Sequence, residues 1–171
     1  MKNSKKLLLT SFIIFLHNSV QAAGLLPLSL AIEAASESIQ SCEASGYNVS
    51  VAVVDMYGQA IVQLKGDKST PHTQDLAYRK AFTLITFGPN YNLDTSTQVA
   101  AWASKNSSFY DALLTVPNIT PLPGAASVKV NGEMIAAIGV SGAPGGDKDE
   151  ACANYGFSKI IDRLNVSKPN K

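Results

Sequence analysis

Arginine, histidine, cysteine and tryptophan are all scarce in this chain of 171 residues: two arginines (Arg79 and Arg163), two histidines, two cysteines and one tryptophan. With so few arginines and no cluster of lysines, the concentrated positive footprint that nucleic-acid binding requires is missing, and no nucleic-acid partner is expected. Long apolar runs are missing too. The stretch Leu7 to Leu16 covers only ten residues, about half of what a membrane-spanning helix needs. Past the first 22 residues only one histidine remains, His72, and with Cys42 and Cys152 it cannot by itself supply a zinc site. A Ser-His-Asp triad in the chain order of an α/β-hydrolase is excluded on similar grounds. Gly139-Val140-Ser141-Gly142-Ala143 approaches a nucleophile elbow, but alanine stands in the last glycine position and no histidine follows the serine. Ser141 therefore reads as a residue of a strand end.

The N-terminus reads as an address. Lys2, Lys5 and Lys6 precede the apolar stretch, and Val20-Gln21-Ala22 has the small residues of a cleavage site. Residues 1–22 are expected to be a signal peptide cut after Ala22 or Ala23, with the protein exported to the periplasm or secreted. Loss of three lysines from the 14 basic residues would leave 11 against 13 acidic ones, a net charge of −2. The remaining residues, 23–171, are expected to form a single domain long enough to bury a core.

Periodicity divides that domain. Leu28, Ile32, Ala35, Ile39 and Cys42 share one face of a first helix. Val49 to Asp55 reads as a buried strand, Met56-Tyr57-Gly58-Gln59 as a turn and Ala60 to Lys65 as the hairpin partner. Asp55 at the strand end suits a side chain that caps backbone N–H groups of the turn. Thr70-Pro71 suits a helix cap and first position, and His72 to Phe87 follows with Ala77, Ala81, Leu84 and Ile85 on one face. Asn90 to Thr95 reads as a loop, Thr97 to Lys105 as a short helix and Phe109 to Val116 as a further helical turn. Ala125 to Val130 and Glu133 to Val140 form a second hairpin around Asn131-Gly132. Gly142, Pro144, Gly145 and Gly146 turn a corner, after which Ala153, Phe157, Ile160, Ile161 and Leu164 make the stripe of a last helix. Asp147, Asp149 and Glu150 suit its N-terminus, and they argue against the corner as a phosphate cradle. Helix, hairpin, helices, hairpin, helix suits an α+β fold with helices packed on an antiparallel sheet.

Cys42 falls near the end of the first helix and Cys152 in the first turn of the last. If those helices lie antiparallel on one sheet face, the two thiols meet, and in an oxidising compartment a disulfide is expected.

The segments VAVVDMYGQAIVQLKGDKSTPHTQDLAYRKAFT and LPGAASVKVNGEMIAAIGVSGAPGGDKDEACA resemble the heme-binding protein family that includes GlcG-like and HbpS-like proteins, and are similar to the C-terminal domain of PduO-type proteins. Val53-Val54-Asp55, Lys80-Ala81 and Gly139-Val140-Ser141-Gly142 followed by Asp149-Glu150 carry the resemblance, which runs from about Leu28 to Leu164. It implies a profilin-like antiparallel sheet with the N- and C-terminal helices packed on it, a homo-oligomer built from dimers, and haem or a corrinoid as ligand. The chain departs from the family's pattern where Lys65, Gly66, Asp67, Lys68 and Ser69 replace an arginine followed by Asp-Gly-Ala, and where a paired glycine becomes Gly124-Ala125. Lysine meets a carboxylate as a point charge, without the arginine fork.

His72 is the residue with most ligand potential. At a helix start the dipole disfavours the imidazolium and leaves a neutral nitrogen for haem iron; the competing reading is a solvent-facing first-turn histidine. Met56 and Met134 are further soft ligands by type, though Met56 reads as turn and Met134 as core. Lys65, Lys68, Arg79 and Lys80 are cations available to haem propionates, Lys80 foremost because it lies in the Lys-Ala motif. The ligand-binding set is thus Lys65, Asp67, His72 and Lys80. On these grounds the protein is expected to bind haem or a related tetrapyrrole for sequestration, sensing or transport. An enzyme degrading haem or acting on a small hydroxy- or oxo-acid, and an oligomeric accessory protein without catalysis, are the alternatives. The want of an evident nucleophile or metal set weighs against the enzyme.

Overall fold

The computed structural model describes residues 24–105 and 107–166. The expected signal peptide and the residues after 166 lie outside the described residues. The elements run α1 (Leu28–Ala44), β1 (Ser50–Asp55), β2 (Ala60–Lys65), α2 (His72–Tyr91), α3 (Ser96–Ala103), α4 (Ser107–Leu113), β3 (Ala125–Val130), β4 (Glu133–Ser141), α5 (Gly146–Ser158) and α6 (Ile161–Val166). The four strands form one antiparallel sheet in the order β2-β1-β4-β3, the α+β arrangement that the alternation of element types predicts.

Strand alternation sorts the sheet residues between two helical layers. Val51 and Val53 on β1, Ile138 and Val140 on β4, and Ala126 and Val128 on β3 pack with α1, α5 and α6. On the opposite face, Ala52, Gly139 and Ala125 lie side by side across three strands, and α2 rests on this shallow row. A methyl group added at Gly139 would fall 2.1 Å from the Ala77 carbonyl oxygen of α2. Both central strands are therefore covered on both faces, which is why β1 and β4 read as unbroken apolar runs rather than alternating ones.

The turns follow their local chemistry. The Asp55 carboxylate accepts hydrogen bonds from the Tyr57 and Gln59 N–H groups, both at 2.9 Å. Asn131 and Gly132 both take positive φ, 53° and 86°, as a tight two-residue hairpin requires. Thr95 and Gln98 close a capping box on α3.

Three expectations need correction. The buried face of α1 is Ala31, Ala34, Ala35, Ser38 and Cys42, whereas Leu28 and Ile32 are 58% and 45% exposed. The reason is α5, which approaches so closely that a methyl group at Gly156 would sit 2.1 Å from the Ser38 hydroxyl; only the small face of α1 allows that. Helix α2 runs on to Tyr91 with Pro89 inside it and starts at His72, Pro71 preceding it. The last helix divides at Lys159–Ile160 into α5 and α6.

Cys42 and Cys152, 110 positions apart in sequence, form a disulfide with their Cα atoms 5.7 Å apart. It ties the end of α1 to the first turns of α5. A cross-link closing so long a loop restricts the unfolded chain, so reduction should lower stability by about 2–5 kcal/mol. Guanidinium unfolding with and without reductant measures this, and equal midpoints would refute it.

Candidate functional site

One groove gathers the chemistry-bearing residues. It has a volume of about 270 Å³ and lies between the start of α2, the segment preceding β3, the end of β4 and the start of α5. Thr70, His72, Leu76, Leu122 and Pro123 line its upper part; Lys80, Ser141 and Asp149 line its floor.

Each wall has a local cause. Helix α2 holds the segment before β3 by two contacts: Arg79 donates to the Ile119 carbonyl at 2.9 Å, and Thr83 Oγ1 accepts from the Thr120 N–H at 2.8 Å. The Ser96 hydroxyl oxygen accepts from the N–H groups of Gly124 and Ala125, both at 2.7 Å. Leu122 and Pro123 are thereby set over the groove. The loop carrying His72 is anchored by buried hydroxyls. Ser50 Oγ lies 3.0 Å from Ser69 Oγ and 2.8 Å from Thr73 Oγ1, and those two residues donate to the Gly66 and Thr70 carbonyls.

The floor is a buried ion pair. Lys80 Nζ donates to Asp149 Oδ2 at 2.7 Å and to the Val140 carbonyl at 3.0 Å, and both side chains are 4% exposed. The other carboxylate oxygen, Oδ1, accepts from the Ala143 N–H at 2.9 Å. Burial pushes the Asp149 carboxyl up from the ordinary carboxylate range, against the Lys80 charge and the hydrogen bonds from Lys80 and Ala143, which draw it down. Gly124, at φ 131°, covers the pair; a methyl group there would fall 2.7 Å from Lys80 Nζ.

Of the residues singled out from sequence, the structure brings His72 and Lys80 to this groove. His72 is exposed at its mouth, with Nδ1 3.3 Å from the Thr70 hydroxyl. Lys65 donates to the Ser69 carbonyl at 2.7 Å and closes its own loop, and Asp67 is exposed in that loop. Met56 and Met134 line a separate depression of about 420 Å³ at the other end of α2. Sequence reasoning missed the partnership of Lys80 with Asp149. Both residues stood in motifs that carried the resemblance, but Asp149 read as one of three interchangeable helix-start acids. Among the described residues no three histidine, cysteine, aspartate or glutamate side chains cluster as a metal site, and no helix is long and apolar enough to cross a membrane.

Removing one partner of a buried pair leaves an uncompensated charge, so Lys80→Met should destabilise the protein by about 3–5 kcal/mol. Adding Asp149→Leu should restore much of that loss. Chemical denaturation of the single and double variants checks it; a double variant no more stable than Lys80→Met would contradict the pairing.

The model of the family described as haem degrading protein HbpS-like matches residues 26–158. A double variant of Streptomyces reticuli HbpS is 32% identical, with 89% of this chain and 98% of that chain covered and a TM-score of 0.71. Klebsiella pneumoniae protein ORFY is 21% identical over 90% of this chain and 99% of that one, TM-score 0.71. A PduOC:heme complex is 16% identical over 80% and 96%, TM-score 0.69. The last two share the fold. No curated protein sequence matches. With most of its length inside the family's model and an HbpS structure covering nearly all of its fold, this chain belongs to the HbpS-like family.

Proposed function

We propose that this protein is exported and binds haem, with His72 as an axial ligand at the mouth of the groove. The observation that carries the reading is the setting of that histidine. Thr70 engages Nδ1, which leaves Nε2 for a metal, and Leu76, Leu122 and Pro123 give apolar walls beside it. One imidazole with apolar flanks fits the edge of a porphyrin. A porphyrin is larger than this groove, and a neighbouring depression of about 460 Å³, which shares Thr70 and Gly142 and carries Lys68, would accommodate the remainder. Bound haem would supply the redox and ligand-exchange chemistry of its iron; the chain would contribute an axial nitrogen, apolar contact and cations for the propionates. The family's description as haem degrading and the haem held by the PduOC neighbour support a haem ligand. Export is supported by the disulfide, which suits an oxidising compartment, and by the signal-peptide pattern of residues 1–22. Binding for sequestration, sensing or transport is the role that these residues serve.

The test is a haem titration followed in the Soret region, with cobalamin in parallel for the corrinoid alternative. Wild type should show saturable one-site haem binding, and His72→Ala should bind with an altered spin state and visible spectrum, because the axial ligand sets both. An identical spectrum and affinity in the two proteins would reduce His72 to a helix-start residue.

We infer further that the protein is a homo-oligomer built from dimers. Leu28 and Ile32 of α1 are 58% and 45% exposed at i, i+4 spacing, and Leu25 just ahead of the helix is 70% exposed, apolar surface suited to a second copy. Light scattering at micromolar concentration should find no appreciable monomer; the mass of one chain would reject this.

A further inference from the structure

Beneath the proposed haem ligand the groove contains polar capacity that the fold itself does not use. An ammonium carries three donors, and Lys80 directs one to Asp149 and one to the Val140 carbonyl. The third has no partner among the described residues. Lys80 is 3% exposed as a residue and lines the groove. Ser141 is 2% exposed and also lines it. The register places Ser141 two residues beyond Gly139 on the α2 face of β4, opposite Ser50. Its hydroxyl makes no hydrogen bond among the described residues, yet it is not sealed in, so the groove is where its oxygen reaches solvent. Two neighbouring, nearly buried side chains with unused donors are costly to keep unless something completes them.

We propose that Lys80 and Ser141 form a carboxylate-binding subsite at the floor of the groove, below His72. One carboxylate oxygen takes the third N–H of Lys80 and the other takes the Ser141 O–H. A carboxylate suits the floor better than a phosphate. Asp149 already balances the charge of Lys80, and Asp147 stands in the same first turn of α5, so a dianion meets two like charges while a monoanion meets a donor pair of matching number. The carboxylate is either a propionate arm of haem, in which case the subsite rests on the haem reading, or a small free monocarboxylate, in which case it does not.

Ser141→Ala tests this more cleanly than any Lys80 variant, because it removes a hydroxyl and leaves the ion pair intact; an unchanged melting temperature confirms folding. Haem, haem dimethyl ester and sodium propionate are each titrated into the disulfide-bonded protein and the variant, with NMR signals of the groove residues read for propionate. Haem should bind wild type about tenfold more tightly than its dimethyl ester, and Ser141→Ala should lower haem affinity by a similar factor without moving the Soret band. A propionate response in the groove that Ser141→Ala abolishes, with haem and its ester binding alike or not at all, keeps the subsite and assigns it to a small free carboxylate. Haem binding no more tightly than its ester, together with groove signals that propionate leaves unmoved, overturns the proposal.

Discussion

Lys80 lies in the middle third of the chain and Asp149 in the last, 69 residues apart, and their meeting organises everything around the groove. Lys80 projects from α2, on one face of the sheet; Asp149 sits in the first turn of α5, whose body packs on the other face. Their contact passes at the end of β4, where the Val140 carbonyl also accepts from Lys80. One ammonium thus joins the helix of one layer, the end of a central strand and the helix of the other layer. Such a pair costs desolvation that its attraction barely offsets, so its value lies in where it holds the elements. Asp149 also holds the corner by accepting from the Ala143 N–H.

That placement depends in turn on close helix packing. Gly139, flanked by Ala52 and Ala125, admits the α2 backbone to the sheet, and Gly156 admits α5 to α1. Larger side chains at these points would lift the helices by ångströms, which a hydrogen bond of 2.7 Å between Lys80 and Asp149 does not survive. The disulfide between Cys42 and Cys152 lies about one turn beyond Asp149 on the same face of α5 and ties that helix to α1. Small residues, covalent tie and buried charge therefore act along one face of the same element. The groove is the gap left where α5 begins and α2 begins near each other, roofed by the segment that Arg79, Thr83 and Ser96 hold down.

Much of this was legible in the sequence because it is local. The ranges Ala60–Lys65 and Ala125–Val130 follow from apolar patterning and turn residues alone, since strand period and turn chemistry are properties of neighbouring positions. The Asp55 turn, the Asn131-Gly132 hairpin and the acid-rich start of α5 belong to the same class. Even the disulfide was accessible, because helical spacing put Cys42 at one helix end and Cys152 at another's start.

What required tertiary structure is whatever depends on how near two elements come. Hydropathy assigned Leu28 and Ile32 of α1 to the core, but packing distance selected the small face and left them exposed. Lys65 and Lys80 were equivalent cations by type; the fold gave Lys65 to its own loop and buried Lys80 against a carboxylate. Asp149 differed from Asp147 and Glu150 only by the direction in which one turn of helix aims it. Ser141, set aside as a nucleophile for want of a histidine after it, became a candidate contact only when β4 placed its hydroxyl in the groove beside Lys80. Residue type and spacing determine which elements form. Burial, direction and distance decide which side chains are left free to meet a ligand, because these arise between segments that the chain itself holds far apart.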